Sequence, residues 1–234
     1  MNPLPKKKPV TINLSKAAKY YKEESHQLAA WNWLESVLTD DQLDEFADLY
    51  RAGPANPTDK IITPEVMQQL TGWAANKFDK TFCDDFNKLL MLTKFDQHTD
   101  AMCMLIANLM HETGNFRWMK EIADGTAYNN RSDLGNGPND GAKYKGAGVL
   151  MLTGKFNYTR LAAELHDPLI VERGCDYVAE QYPFRSALTW LKDNDLLGIC
   201  LGQGFDSCCY RINGGWNGKK DRDAKWETCK KVFN

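Results

Sequence analysis

Apolar positions recur at helical spacing along most of the chain. From residue 15 to 38, Ala17, Ala18, Tyr21, Leu28, Trp31, Leu34 and Val37 follow the 3.6-residue period, with Trp33 an additional aromatic. Thr39 and Gln42 then form a capping-box pattern ahead of Leu43, Phe46, Ala47 and Tyr50, and Gly53-Pro54 ends the run. These two predicted helices read as a small hairpin-like unit. It follows a Pro- and Lys-rich tail over residues 1–15, where proline removes donors and restricts its predecessor. AGPANPTDK, residues 52–60, is the linker candidate, so the chain divides into 1–58 and 59–234.

Beyond the linker, Thr63-Pro64-Glu65 opens a helix with proline at its first position, where no needed hydrogen bond is lost. A second helix is predicted over 79–91. The run from Asp100 to Glu112 is apolar on nearly every side, which predicts a central helix buried by its neighbours, and Gly114 stops it. Residues 122–148 are rich in Gly, Asn and Asp, the residues of turns and left-handed backbone, and predict a long loop. Helical patterns return over 157–165, 175–193 and 221–233, while strand signals are few and short and no internal repeat is visible. The predicted architecture is mainly α-helical.

Composition narrows the classes. With 234 residues and 26.6 kDa, the chain suits one compact domain plus an appendage. A net charge of −2 supplies no global field for nucleic acid or an anionic membrane. The longest strongly apolar run, 101–110, is too short to span a bilayer. The lysines of MNPLPKKKPVT are not followed by an apolar core, so no secretory signal is expected and synthesis is expected in the cytoplasm. Seven irregularly spaced cysteines fit free, buried thiols made in a reducing compartment. The adjacent Cys208 and Cys209 lack zinc-site spacing, and no cysteine has a companion histidine to activate it.

The candidate chemistry centres on HETGNFRWMKE, residues 111–121. In one straight helix Glu112 and Glu121 would lie roughly 13.5 Å apart along the axis, on opposite faces. A break at Gly114-Asn115 lets the chain return and bring them toward the roughly 6.5–9.5 Å of an inverting glycosidase pair. Glu112 follows the apolar run from Ile106 to Met110, surroundings that would favour its protonated form as a general acid, whereas Glu121 precedes a polar loop that suits an ionised base. A zinc-protease HExxH reading fails because Asn115 stands where the second histidine is needed. No metal or cofactor is expected, and His111 is read as a hydrogen-bonding neighbour of the site.

Two further blocks carry polar groups among glycines. In YKGAGVLMLTGKFNY, residues 144–158, a P-loop is excluded because no GK[ST] follows at the required spacing. Thr153 and Asn157 can instead point a hydroxyl and an amide into a cleft, with Tyr144 or Tyr158 offering a ring to a sugar; the competing reading is a tight turn packed on the core. In RINGGWNGKKDR, residues 211–222, Asn213 supplies a donor and an acceptor beside Gly214-Gly215. Trp216 reads equally as a stacking surface or as a packed core ring.

Taken in order, HETGNF, Glu121, YKGAGVLMLTGKFNY and RINGGWNGKKDR resemble glycoside hydrolase family 19, particularly its bacteriophage endolysin branch, over residues 60–234. The resemblance implies a lysozyme-like helical fold and inversion at the anomeric carbon. It implies Glu112 as general acid, Glu121 as base and Thr153 as the hydroxyl that positions water. His111, Tyr144, Asn157, Asn213 and Arg222 are then the substrate-binding set, with Asp221 beside Arg222. Family members commonly read Gly-Arg-Gly and Ile-Gln-Leu where this chain has Gly146-Ala147-Gly148 and Leu150-Met151-Leu152, which implies altered specificity. The implied substrate is peptidoglycan glycan, reached with the help of a separate membrane-pore protein, with no nucleic-acid partner. A chitinase and a non-catalytic wall-binding or phage structural protein are the alternatives.

Overall fold

The computed structural model describes residues 61–233 together with Asn32, Ser36 and Thr39. The chain divides into two units, Met1–Asp59 and Lys60–Asn234. The predicted N-terminal hairpin lies outside the described residues apart from Asn32 and Ser36, which are helical, and Thr39, which is not.

The second unit is built from helices α1 (Pro64–Thr71), α2 (Lys80–Leu92), α3 (Thr99–Glu112), α4 (Lys155–Glu164), α5 (Leu169–Arg173), α6 (Cys175–Gln181), α7 (Leu188–Asp193), α8 (Leu196–Asn213) and α9 (Lys219–Phe233). Local chemistry sets several ends as predicted. Thr63 caps α1 by accepting from Val66 N, with Pro64 at the first position, and Asp79 caps α2 by accepting from Phe82 N at 2.8 Å.

Helix α3 is the axis of the fold. Every residue from Ala101 to Met110 is buried, because α8 and α9 pack along it. All seven cysteines are free and buried. No described helix is long and apolar enough to cross a membrane.

The predicted break after Glu112 is a left-handed turn in which Gly114, Asn115 and Phe116 all have positive φ, at 59°, 60° and 64°. Phenylalanine avoids that region, so the turn must be held by its surroundings. Thr113, fully buried, donates its hydroxyl to Leu109 O at 2.7 Å and accepts from Phe116 N at 2.8 Å. The Phe116 ring joins a cluster in which Phe86 and Phe184 stack with centroids 3.9 Å apart.

Three expectations change. The pattern over 175–193 is two helices, α6 and α7, separated at Pro183, which lacks an N–H and disfavours helical backbone in the residue before it. Helix α8 went unpredicted because Gly198, Gly202 and Gly204 dilute its signal; Gly204 leaves helical geometry at φ 79° and ψ −169°, kinking the element. The strand-like centre of residues 144–158 forms only isolated bridges, Lys120 with Ala147 and Ala147 with Leu152.

Candidate active site

Glu112 is the last residue of α3, and its half-buried side chain meets a cation rather than the dry surroundings expected. Arg222 on α9 donates one guanidinium nitrogen to Glu112 Oε1 and the other to Asn108 Oδ1, the latter at 2.7 Å. Asn108 in turn donates to Met104 O at 2.8 Å, which fixes its orientation within α3. With Arg222 1% exposed, this guanidinium cannot touch a substrate. Its expected substrate-binding role is corrected to one of positioning Glu112.

The Glu112 carboxyl borders an opening of about 150 Å³ walled by Val149, Leu150, Met151, Trp190 and Ile212. Leu150, Met151 and Trp190 also wall a space of about 300 Å³ that contains Thr153 and Asn157 at its rim. The two spaces are neighbours that share Leu150, Met151 and Trp190 as wall residues.

Glu121 is brought back by the turn alongside the segment from Gly146 to Gly148. Its backbone N–H donates to Gly146 O at 2.9 Å, and Gly148 N donates to Met119 O at 2.8 Å, so 119–121 runs alongside 146–148. Its carboxylate is held at both oxygens: Oε1 accepts from the Tyr128 hydroxyl and Oε2 from Gly146 N, each at 3.0 Å. Burial, followed by this bond to Glu121, pushes the Tyr128 hydroxyl above its usual phenolic range, so it stays a donor at neutral pH. A Cβ at Gly146 would lie 3.2 Å from both Glu121 Oε2 and Met151 Cβ. Met151 therefore stands beside Glu121 while also walling the opening at Glu112.

The polar residues of the second block divide. Thr153 donates its hydroxyl to Met151 O at 2.8 Å, which leaves the oxygen lone pairs to accept from water. Asn157, exposed, donates Nδ2 to Thr153 O at 2.7 Å and keeps its amide oxygen free for a ligand. Tyr144 and Tyr158 are corrected. Both are buried in a smaller core with Ile170 and Val178, edge-to-face at 5.2 Å, with hydroxyls donating to Val171 O and Lys145 O. Neither ring has a face left for a sugar.

At the third block, Asn213 ends α8, and its Nδ2 is buried without a partner, a donor awaiting an acceptor. His111 is tied to α9 through one ring nitrogen. Its Nδ1 bonds Asp221 Oδ2 at 2.6 Å, and Lys225 Nζ donates to Asp221 Oδ1 at 2.8 Å. Burial opposes ionisation of Asp221, but Lys225 and His111 outweigh it and hold the carboxyl below its usual range. Sequence reasoning missed Tyr128, Asn108 and Trp190. Tyr128 had a faint signal, a hydroxyl inside the loop that follows Glu121; the other two sit inside apolar helical patterns that mark only core.

The second unit has a lysozyme-like, mainly helical fold, that of the family 19 chitinases. Among solved structures it is similar to a bacterial family 19 chitinase, with 18% identity and a TM-score of 0.58 over 74% of this chain and 95% of that one. It is also similar to chitinase C from Streptomyces griseus HUT6037, with 19% identity and a TM-score of 0.56 over 75% of this chain and 77% of that one. In sequence, an alignment 176 positions long, covering 72% of the chain, is 29% identical to an endochitinase of Arabidopsis thaliana, and the match spans 61% of that protein's length. No family profile matches the chain.

Proposed function

We propose that the chain is a glycoside hydrolase that cleaves β-1,4 bonds between N-acetylated amino sugars with inversion. Peptidoglycan is its substrate, in the lytic role of a phage-type endolysin. The observation that supports the chemistry is that two differently held glutamates both stand by Met151, which walls the opening at Glu112 and lies beside Glu121. Arg222 occupies Glu112 Oε1, which leaves Oε2 to carry the proton for the leaving oxygen. The same guanidinium then stabilises the carboxylate left behind. Glu121, fixed by two neutral donors, takes a proton from a water that Thr153 orients, while Asn157 and Asn213 hold the sugar. The peptidoglycan reading draws on the nine-residue spacing of Glu112 and Glu121 and on the endolysin-like motif order. A separate membrane-pore protein would open the way from the cytoplasm to the wall.

Chitin is the second reading, favoured by relatives and structural neighbours that are named chitinases. Reducing-end release from purified peptidoglycan and from chitin oligomers, with mass analysis of products, tests both. Release from peptidoglycan with water-added ends, lost in Glu112→Gln, is expected. Near-normal release by Glu112→Gln would overturn the mechanism, anhydro-sugar ends would replace hydrolysis by lytic transglycosylation, and cleavage of chitin alone would transfer the proposal to chitin. If Glu121→Ala stayed active, the base would lie elsewhere.

A further inference from the structure

Two aromatic side chains at the end of α8 and in the turn after it are not used by the core. Trp216 is 58% exposed and Tyr210 52% exposed, and their ring centroids stand 5.6 Å apart at 55°. Single exposed apolar residues are ordinary on a protein surface, but here the Tyr210 ring, tilted against the indole, braces it and leaves the flat face of Trp216 preformed.

Their position ties them to the cleft. Tyr210 lies in the last turn of α8, and Trp216 lies between Gly214 and Gly218, whose φ values are 71° and 72°. Gly218 sits against the His111 ring so closely that a Cβ there would be 2.2 Å from Cε1. His111 immediately precedes Glu112 and is itself held by Asp221. At the other end of the turn, Ile212 walls the opening at Glu112, and the next residue is Asn213 with its unpartnered Nδ2. The run from 212 to 218 therefore leads from the wall beside the acid, past a waiting amide donor, to the exposed rings, and back to the helix that bears the acid.

A pyranose ring presents an apolar C–H face and a polar rim. An indole covers the first while an amide serves the second. We infer that Trp216, backed by Tyr210, is a stacking platform for a sugar ring of the same glycan strand, away from the scissile bond on the Asn213 side of the cleft. Two rings are too small an area for a protein partner, which needs about 800 Å² per side. The inference rests on the reading of the cleft as a glycan hydrolase site.

Calorimetric titration of the full chain carrying Glu112→Gln tests it, with β-1,4-linked N-acetylglucosamine tetramer and hexamer and with peptide-stripped peptidoglycan strands. Adding Trp216→Ala is expected to weaken hexamer binding about 3- to 10-fold. The tetramer should lose less, and Trp216→Phe should keep most of the affinity. In the Glu112→Gln protein itself, the Trp216 indole NMR signal, assigned with Trp216→Phe, is expected to shift on adding hexamer. Unchanged hexamer affinity in a folded Trp216→Ala protein, or an unmoved indole signal in a protein that binds hexamer, would overturn the platform alone. Binding of neither oligomers nor peptidoglycan strands to Glu112→Gln would overturn the glycan reading and the platform together.

Discussion

Arg222 closes against Glu112 from within the core, and the two residues are 110 positions apart in the chain. A guanidinium that is 1% exposed needs a compensating anion, so the α3–α9 packing and the placement of the candidate acid are one arrangement. Arg222→Ala is expected to cost about 3–5 kcal/mol in urea unfolding, because it leaves Glu112 and Asn108 facing a cavity. Glu112→Gln should cost less, about 1–3 kcal/mol, since its amide oxygen still accepts from Arg222 although the guanidinium loses its anion. A loss below about 1 kcal/mol for Arg222→Ala would show that the pair contributes little to the fold.

Tyr128 is expected to act through Glu121. Tyr128→Phe removes the hydroxyl donor to Oε1 but keeps the half-buried ring. A hydrogen bond to a charged group contributes about 1.5–3 kcal/mol, so kcat should fall about tenfold or more with KM nearly unchanged. Steady-state kinetics on a soluble glycan would read the split. A rise in KM at constant kcat would assign Tyr128 to sugar binding instead.

Gly218→Ala places a methyl group in the His111 ring and in a left-handed backbone region at φ 72°. The ring cannot swing aside without breaking its bond to Asp221. A loss of about 1–3 kcal/mol is expected, with reduced glycan turnover because the turn joins the α3 end. Thermal melting together with the reducing-end assay would measure both.

Asp140 ties the long loop to α4, accepting from Gly137 N at 2.9 Å and from Lys155 Nζ at 3.1 Å. The Gly137 N–H, against the opposing effect of burial and with help from Lys155, holds its carboxyl below the usual carboxylate range. A folded value below the unfolded value of about 3.9 means that the anion's stabilisation is present above about pH 4 and is lost as pH falls through the folded value. The gap in melting temperature between the native protein and Asp140→Asn should therefore be constant near neutrality and shrink below about pH 4. A gap that widened on acidification would contradict this sign.

Legibility followed the range of each interaction. The start of α1 at Thr63-Pro64, the buried run of α3 and the turn at Gly114 were readable because a cap, an unbroken apolar stretch and a glycine act within a few residues. Helix α8 was not, since three glycines mask its propensity and its burial against α3 overrides them. The ring of Tyr144 looked available because a tyrosine among glycines gives no sign of the second core formed by α4, α5 and α6.

From its sequence alone, the chain specifies a helical unit whose most apolar helix ends on Glu112, with Glu121 returned by a turn and amide- and hydroxyl-bearing blocks further on. Periodicity and turn chemistry are local, and they identify which residues are buried without saying against what. The partners came from folding: Arg222 reaches Glu112 from α9, Tyr128 and Gly146 hold the two oxygens of Glu121, and Leu150, Met151 and Trp190 wall two neighbouring spaces. Each of these is a contact between segments brought together by burial of the α3 core, and the free energy of a buried charge or donor depends on the partner that burial supplies.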